Sequence, residues 1–143
     1  MENTFVRLGM LVLAAGFGFV LGTLTPQAGA QGKNRVFELR TYYAHEGKLN
    51  DLHARFRNHT TKLFEKHGMT NVGYWVPQEG PQAGNTLIYI LAHQSRQAAS
   101  KSWEAFRNDP EWIKARDASE RNGKLVAKVE SVFLDPVDYS PMK

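Results

Sequence analysis

Thr86-Leu-Ile-Tyr-Ile-Leu-Ala-His93 is the stretch whose reading decides the fold, because its apolar residues do not alternate with polar ones. In a strand, Leu87, Tyr89 and Leu91 point one way and Ile88, Ile90 and Ala92 the other, so both faces of the sheet need cover. Helices of the same chain can supply one cover. The other is expected from a second molecule.

The flanking segments supply the rest of a sheet. Residues 69–76 are rich in β-branched and aromatic side chains, and 77–84 hold two prolines and two glycines, which reads as a strand and then a loop. That loop length suits an antiparallel connection. Earlier, residues 36–43 alternate strictly: Phe37, Leu39, Thr41 and Tyr43 share one face, Val36, Glu38, Arg40 and Tyr42 the other. Leu49, Leu52, Phe56, Leu63 and Phe64 recur at helical spacing, so 48–66 is expected as one amphipathic helix closed by Gly68. Beyond the opening strand, Ser95 can cap a helix carrying Ala99, Trp103 and Phe106. Asp109-Pro110 is a restart signal for a second segment over 110–121 with Trp112 and Ile113. Residues 125–134 read as the last strand, stopped by Asp135-Pro136.

The order strand, helix, strand, strand, helix, strand predicts an α+β, ferredoxin-like βαββαβ domain: a four-stranded antiparallel sheet with helices on one face. Its first and third strands lie in the centre. The opposite face would expose an apolar patch rare in monomers, which predicts a homodimer packed sheet to sheet. Alternation leaves open which face carries Glu38 and Arg40; sharing one face with Lys128 and Glu130, they would complicate that packing.

Residues 1–30 are expected to be a signal peptide. Arg7 precedes an uncharged run over 8–24, and Pro26 with Ala28-Gly29-Ala30 supplies the break and small residues for cleavage after Ala30. An uncleaved anchor is the alternative reading. No cysteine stands at the cleavage position, which excludes a lipoprotein. The predicted product is exported, periplasmic or secreted, and free of the membrane after cleavage. Residues 31–34 form a linker, 35–139 the domain and 140–143 a tail. The chain of 143 residues contains no cysteine, which removes disulfides, thiolate chemistry and zinc–cysteine sites. A net charge of +4, without a basic block, argues against nucleic acid as partner.

Candidate chemistry rests on histidines and aromatics. His53, His59 and His67 fall in the first helix, but no pair stands three or four apart and no HExxH occurs, so no metal site is expected. A haem needs one axial histidine and survives that test. His67, beside Gly68, suits the helix C-terminus as a cation. His59 is placed at the helix–sheet seam, where it can act as general base or ligand donor, or sit as a partly buried hydrogen-bonded histidine. His93 ends the central strand, where side chains can ring a pocket or simply start a loop. Trp75, Trp103, Trp112, Tyr43 and Tyr74 can line a cavity or fill a core.

The segments VFELRTYYAHEGKL, RFRNHTTKLFEKHGMTNVGYW and LIYILAHQSRQAASKSWEAFRNDPEW, with the terminal strand, resemble the NIPSNAP domain over 35–136. The resemblance implies a dimeric α+β barrel in which two ferredoxin-like sheets pack face to face. The wider superfamily includes cofactor-independent monooxygenases, isomerases of small ring compounds and haem-degrading proteins, all using a cleft between helices and sheet. NIPSNAP members have no generally established reaction, and eukaryotic ones are linked to mitochondria, vesicle traffic and protein binding. This chain is expected to depart from those in having one domain and a bacterial-type export signal, and carries His45-Glu46-Gly47 where many have Pro-Gly. The resulting expectation is an exported homodimer that binds a small, largely apolar molecule in the helix–sheet cleft, lined by Tyr43, His59, Trp75 and His93, without cofactor. Two alternatives accompany it: a monooxygenase or isomerase with His59 as acid or base, and an interaction module with a filled core.

Overall fold

The computed structural model describes residues 35–143. The expected signal peptide and linker lie outside the described residues. The strands are β1 (Val36–Ala44), β2 (Thr70–Trp75), β3 (Thr86–His93) and β4 (Val126–Leu134); the helices are α1 (Leu49–Arg55), α2 (Thr61–Lys66), α3 (Arg96–Asn108) and α4 (Pro110–Ser119). The sheet is antiparallel in the order β2-β3-β1-β4, so β1 and β3 are central and the ferredoxin-like plan is present. Among the described residues no helix is long and apolar enough to cross a membrane.

Register settles the faces. Tyr89 lies opposite Arg40 and Leu91 opposite Glu38, and Leu87, Tyr89 and Leu91 pack with Leu52, Phe56, Phe64, Trp103 and Phe106 of the helices. Glu38, Arg40 and Tyr42 therefore point under the helix layer. Thr41 lies opposite Glu130 and Tyr43 opposite Lys128, on the other face with Ile88 and Ile90. The four strand charges do not share a face. The two on the central strand are covered, and the two on edge strand β4 are on the bare side.

The first helix is not uniform. A π-helical turn over Phe56–Thr60 separates α1 from α2, and its wider winding brings Thr60 to the core at 1% exposure and leaves His59 exposed. The Thr60 and Thr61 hydroxyls each donate to the carbonyl five residues back, Arg55 and Phe56, at 3.3 Å, supporting the wide turn. Gly68 follows with φ +77°, as a C-terminal glycine should.

The other helix signals act as the sequence reads. Ser95 Oγ accepts from the Ala98 N–H at 3.0 Å, and Asp109 Oδ1 accepts from the Glu111 N–H at 2.7 Å just before Pro110. Asp109 also holds Lys66 at 2.9 Å and His67 at 2.7 Å, tying the end of α2 to the start of α4. These contacts hold its carboxyl well below the usual range, Lys66 contributing most. His67 thus serves a neighbouring helix through Asp109, in addition to standing at the end of its own.

Candidate functional site

The helix-covered face of the two central strands carries a buried polar cluster. Glu38 is 1% exposed and accepts from four side chains on β1, β3, α3 and β4. Trp103 Nε1 donates to Oε2 at 2.6 Å, with His93 Nε2 on the same oxygen at 3.0 Å; Ser131 Oγ donates to Oε1 at 2.7 Å and Arg40 Nη1 at 2.5 Å. Burial alone would raise the Glu38 pKa, but the bonds from His93, Ser131, Trp103 and Arg40 outweigh it and hold it at about 2. The carboxylate is ionised at neutral pH, so His93 Nε2 donates to it. His93 is 2% exposed, and its Nδ1 has no partner among the described residues.

Arg40 extends from this carboxylate into an aromatic cage. Its Cζ lies 4.2 Å from the Trp103 ring centroid and 5.6 Å from that of Tyr42, in the range of cation–π attraction. Burial disfavours its charge, yet the nearby Tyr42, Tyr89 and Glu38 raise its pKa, so it stays a cation. Tyr89, directly opposite on β3, is fully buried; Tyr42 and Arg40 stand close enough to act on its hydroxyl, but neither that hydroxyl nor Arg40 Nε meets the full geometry of a hydrogen bond among the described residues. Burial pushes the Tyr89 phenol well above its ordinary pKa, so it remains a neutral donor. Phe56 and Phe64 of the helices and Tyr74 of β2 surround it at ring-centroid distances of 5.3 to 5.9 Å. Unpartnered donors thus meet apolar ring walls in the interior. The helix layer stops short of β4, where Ser131 is exposed and Val129, opposite Tyr42, is 42% exposed.

The four residues expected to line a cleft are dispersed. Only His93 belongs to the cluster. Tyr43 and Trp75 stand on the bare face by strand parity: Tyr43 donates to Glu130 Oε2 at 3.0 Å, and Trp75, opposite Ile88, is 51% exposed. The Trp75 indole lies against the strand over Gly73, where a Cβ would meet its Cη2 at 2.5 Å. His59 is exposed on the outer side of the helix layer, since the π-helical turn sends Thr60 inward in its place. There it borders a groove of about 350 Å³ between α1 and α4. His67 and His93 each direct Nε2 at a carboxylate, which leaves that nitrogen unavailable to a haem iron. Among the described residues no group of three or more His, Cys, Asp or Glu is placed to hold a metal ion.

Sequence reading missed Glu38, Arg40 and Tyr89 as a unit. A signal was present: Glu38 and Arg40 share the parity of Tyr42 on a strand that the fold plan places centrally.

Comparison with known proteins places the fold. The NIPSNAP family model matches residues 37–141. A NIPSNAP family protein of unknown function from Agrobacterium tumefaciens superimposes with a TM-score of 0.67 at 22% identity, covering 77% of this chain and 95% of that one. An uncharacterized NIPSNAP-like domain protein from Burkholderia xenovorans gives 0.66 at 16% identity, covering 76% and 90%. SnoaB, a cofactor-independent oxygenase from Streptomyces nogalater, gives 0.51 at 14% identity in a mutant form, covering 76% and 99%. No curated protein matches the chain significantly. At these identities the likenesses establish the fold alone.

Proposed function

Since the chain belongs to the NIPSNAP family, we propose that it acts as a homodimer in which each protomer binds a small, largely apolar molecule between helices and sheet, against Arg40, Tyr42 and Tyr89. The observation that carries the ligand reading is the Tyr89 hydroxyl: fully buried, near Tyr42 and Arg40 but in a completed hydrogen bond with neither, beside an Arg40 Nε in the same condition. An unpaired buried donor costs about 1–3 kcal/mol. A ligand oxygen reaching it past the uncovered flank of β4 would recover that cost. The homodimer is supported by the bare face, where Trp75, Val132 and Leu134 are 40–51% exposed beside half-buried Leu39, Ile88 and Ile90.

Native mass spectrometry of the purified protein tests both parts. The expected result is twice the chain mass with a retained small adduct, and Tyr89→Phe keeps the dimer while losing the adduct. The variant removes only the hydroxyl, so its stability is expected to be unchanged or slightly higher. A dimer without adduct would overturn the ligand reading in favour of a protein-interaction module. An adduct retained by Tyr89→Phe would place the ligand elsewhere.

Catalysis is a second reading, favoured by the guarded cation. The Arg40 guanidinium, kept charged beside the unpaired phenol, would stabilise an enolate or phenolate of the ligand, the electronic need shared by isomerisation and by cofactor-independent attack of dioxygen. SnoaB, a structural relative, is itself a cofactor-independent oxygenase. Turnover of the recovered ligand in air and under nitrogen separates the outcomes: oxygen-dependent loss means oxygenation, oxygen-independent conversion means isomerisation, and no change means binding alone. Export belongs to the same proposal, and Gln31 as the first residue of protein recovered from periplasm or medium would support it; a retained Met1 would not.

A further inference from the structure

A second feature of the helix layer stands apart from the buried cluster. The groove between α1 and α4, about 350 Å³, has Arg55 at its base and Ala54, Ala115 and Ala118 on its walls. The Arg55 side chain is 4% exposed; its Nη1 donates to Glu120 at 3.0 Å and to Ser119 at 3.4 Å, and its Nε has no partner among the described residues. The edge formed by Nε and Nη2 is one of the two with which a guanidinium can grip a carboxylate in a fork, the other being drawn on by Glu120 through Nη1. Glu120 is shared between Arg55 and Lys124, the latter at 2.9 Å, so that end of the groove keeps a net positive charge.

The rim is polar. Asn58, His59 and Asn122 are exposed along it, and none of their side chains takes part in a hydrogen bond among the described residues. Asp51, the acid among the lining residues, stands 3.6 Å from Lys48, which offsets its charge. The groove borders a smaller one of about 190 Å³ that shares Asn58 and His59 and adds Lys62, Leu63 and the ion pair of Lys66 with Glu111. The π-helical turn creates this geometry: the same insertion that sends Thr60 inward turns Asn58 and His59 onto the groove.

We propose that this outer groove is a binding site for a small carboxylate with a short aliphatic body. The carboxylate is held at the Arg55 end by Asn58, His59 and Asn122 with the guanidinium beneath, and the alkyl part lies against the three alanine methyls. The site is independent of the proposed ligand at Tyr89.

Sodium propionate, titrated into the isotope-labelled protein at constant ionic strength and followed by NMR, tests it, with propionamide as the uncharged control. Propionate is expected to shift the resonances of Asn58, His59 and Asn122 saturably, and propionamide is expected to leave them in place. Asn58→Asp puts a carboxylate on the exposed rim without touching the core, and is expected to weaken propionate binding at least roughly tenfold, about 1.4 kcal/mol. Tyr89→Phe is expected to bind propionate as wild type does, which separates failure here from failure at the buried cluster. Equal shifts with propionamide, unsaturable shifts, or undiminished binding by Asn58→Asp would each overturn the proposal.

Discussion

The two faces of the sheet carry the same kind of ion pair at the same distance, with different consequences. Arg40 and Glu38 on the covered face, and Lys128 and Glu130 on the bare face, each stand two residues apart on one strand with a nitrogen–oxygen separation of 2.5 Å. The covered pair is 16% and 2% exposed, the bare pair 64% and 50%. Distance therefore does not rank them; burial does. Removing one member of a buried pair leaves an uncompensated charge in low dielectric, whereas an exposed pair exchanges readily for water. The covered face is accordingly where charge is fixed in place, and the bare face is where apolar area is exposed.

The comparison can be broken most sharply at Glu38. Glu38→Gln keeps the volume but leaves the Arg40 guanidinium unpaired, and is expected to cost about 3–5 kcal/mol in denaturant unfolding. A loss below about 1 kcal/mol would mean that the cluster is no more than a surface network. On the bare face, Val132→Asp puts a charge opposite Leu39, on the face that also carries Ile88 and Ile90, and is expected to give a monomer by sedimentation with its helical signal intact. Retention of the dimer would move the interface elsewhere.

Acid supplies a finer separation. Glu38 titrates at about 2, below its ordinary 4.5, so the unfolded chain takes up its proton first. Its contribution is complete above about pH 4.5 and is lost as the pH falls towards about 2. Asp109, Glu120 and Glu130 are also depressed and act in the same direction, so Glu38→Gln is expected to flatten the acid limb of the unfolding curve without abolishing it. An unchanged slope would show that Glu38 is not held as its four donors imply. The smallest effect is expected from Lys128→Ala, within about 1 kcal/mol of wild type by thermal or chemical unfolding.

Elements and topology were legible because their signals are local. Strand alternation, Gly68 after the first helix and Asp109-Pro110 between α3 and α4 each act within a few residues, and each stands where the sequence puts it. Face assignment was not, because parity tells which residues travel together and not which side the helices take. The π-helical turn slips the helix phase by one residue, less than the width of the apolar stripe, yet that slip exchanges Thr60 for His59 at the core. The Glu38 cluster draws on four separate elements: Arg40 is two residues along the same strand, but only the register of β1 against β3 and β4 brings His93 and Ser131 to the carboxylate. Of the four residues expected to line a cleft, His93 alone lies in that interior, and Trp103 joins it from the wider set of aromatic candidates.

The covered face takes its cover from the chain's own helices, and the bare face takes none from the chain. Sedimentation equilibrium of the wild-type protein tests most directly whether a second copy covers it. The expected result is a single species at twice the chain mass; a species at the mass of one chain, stable at high protein concentration, would contradict it.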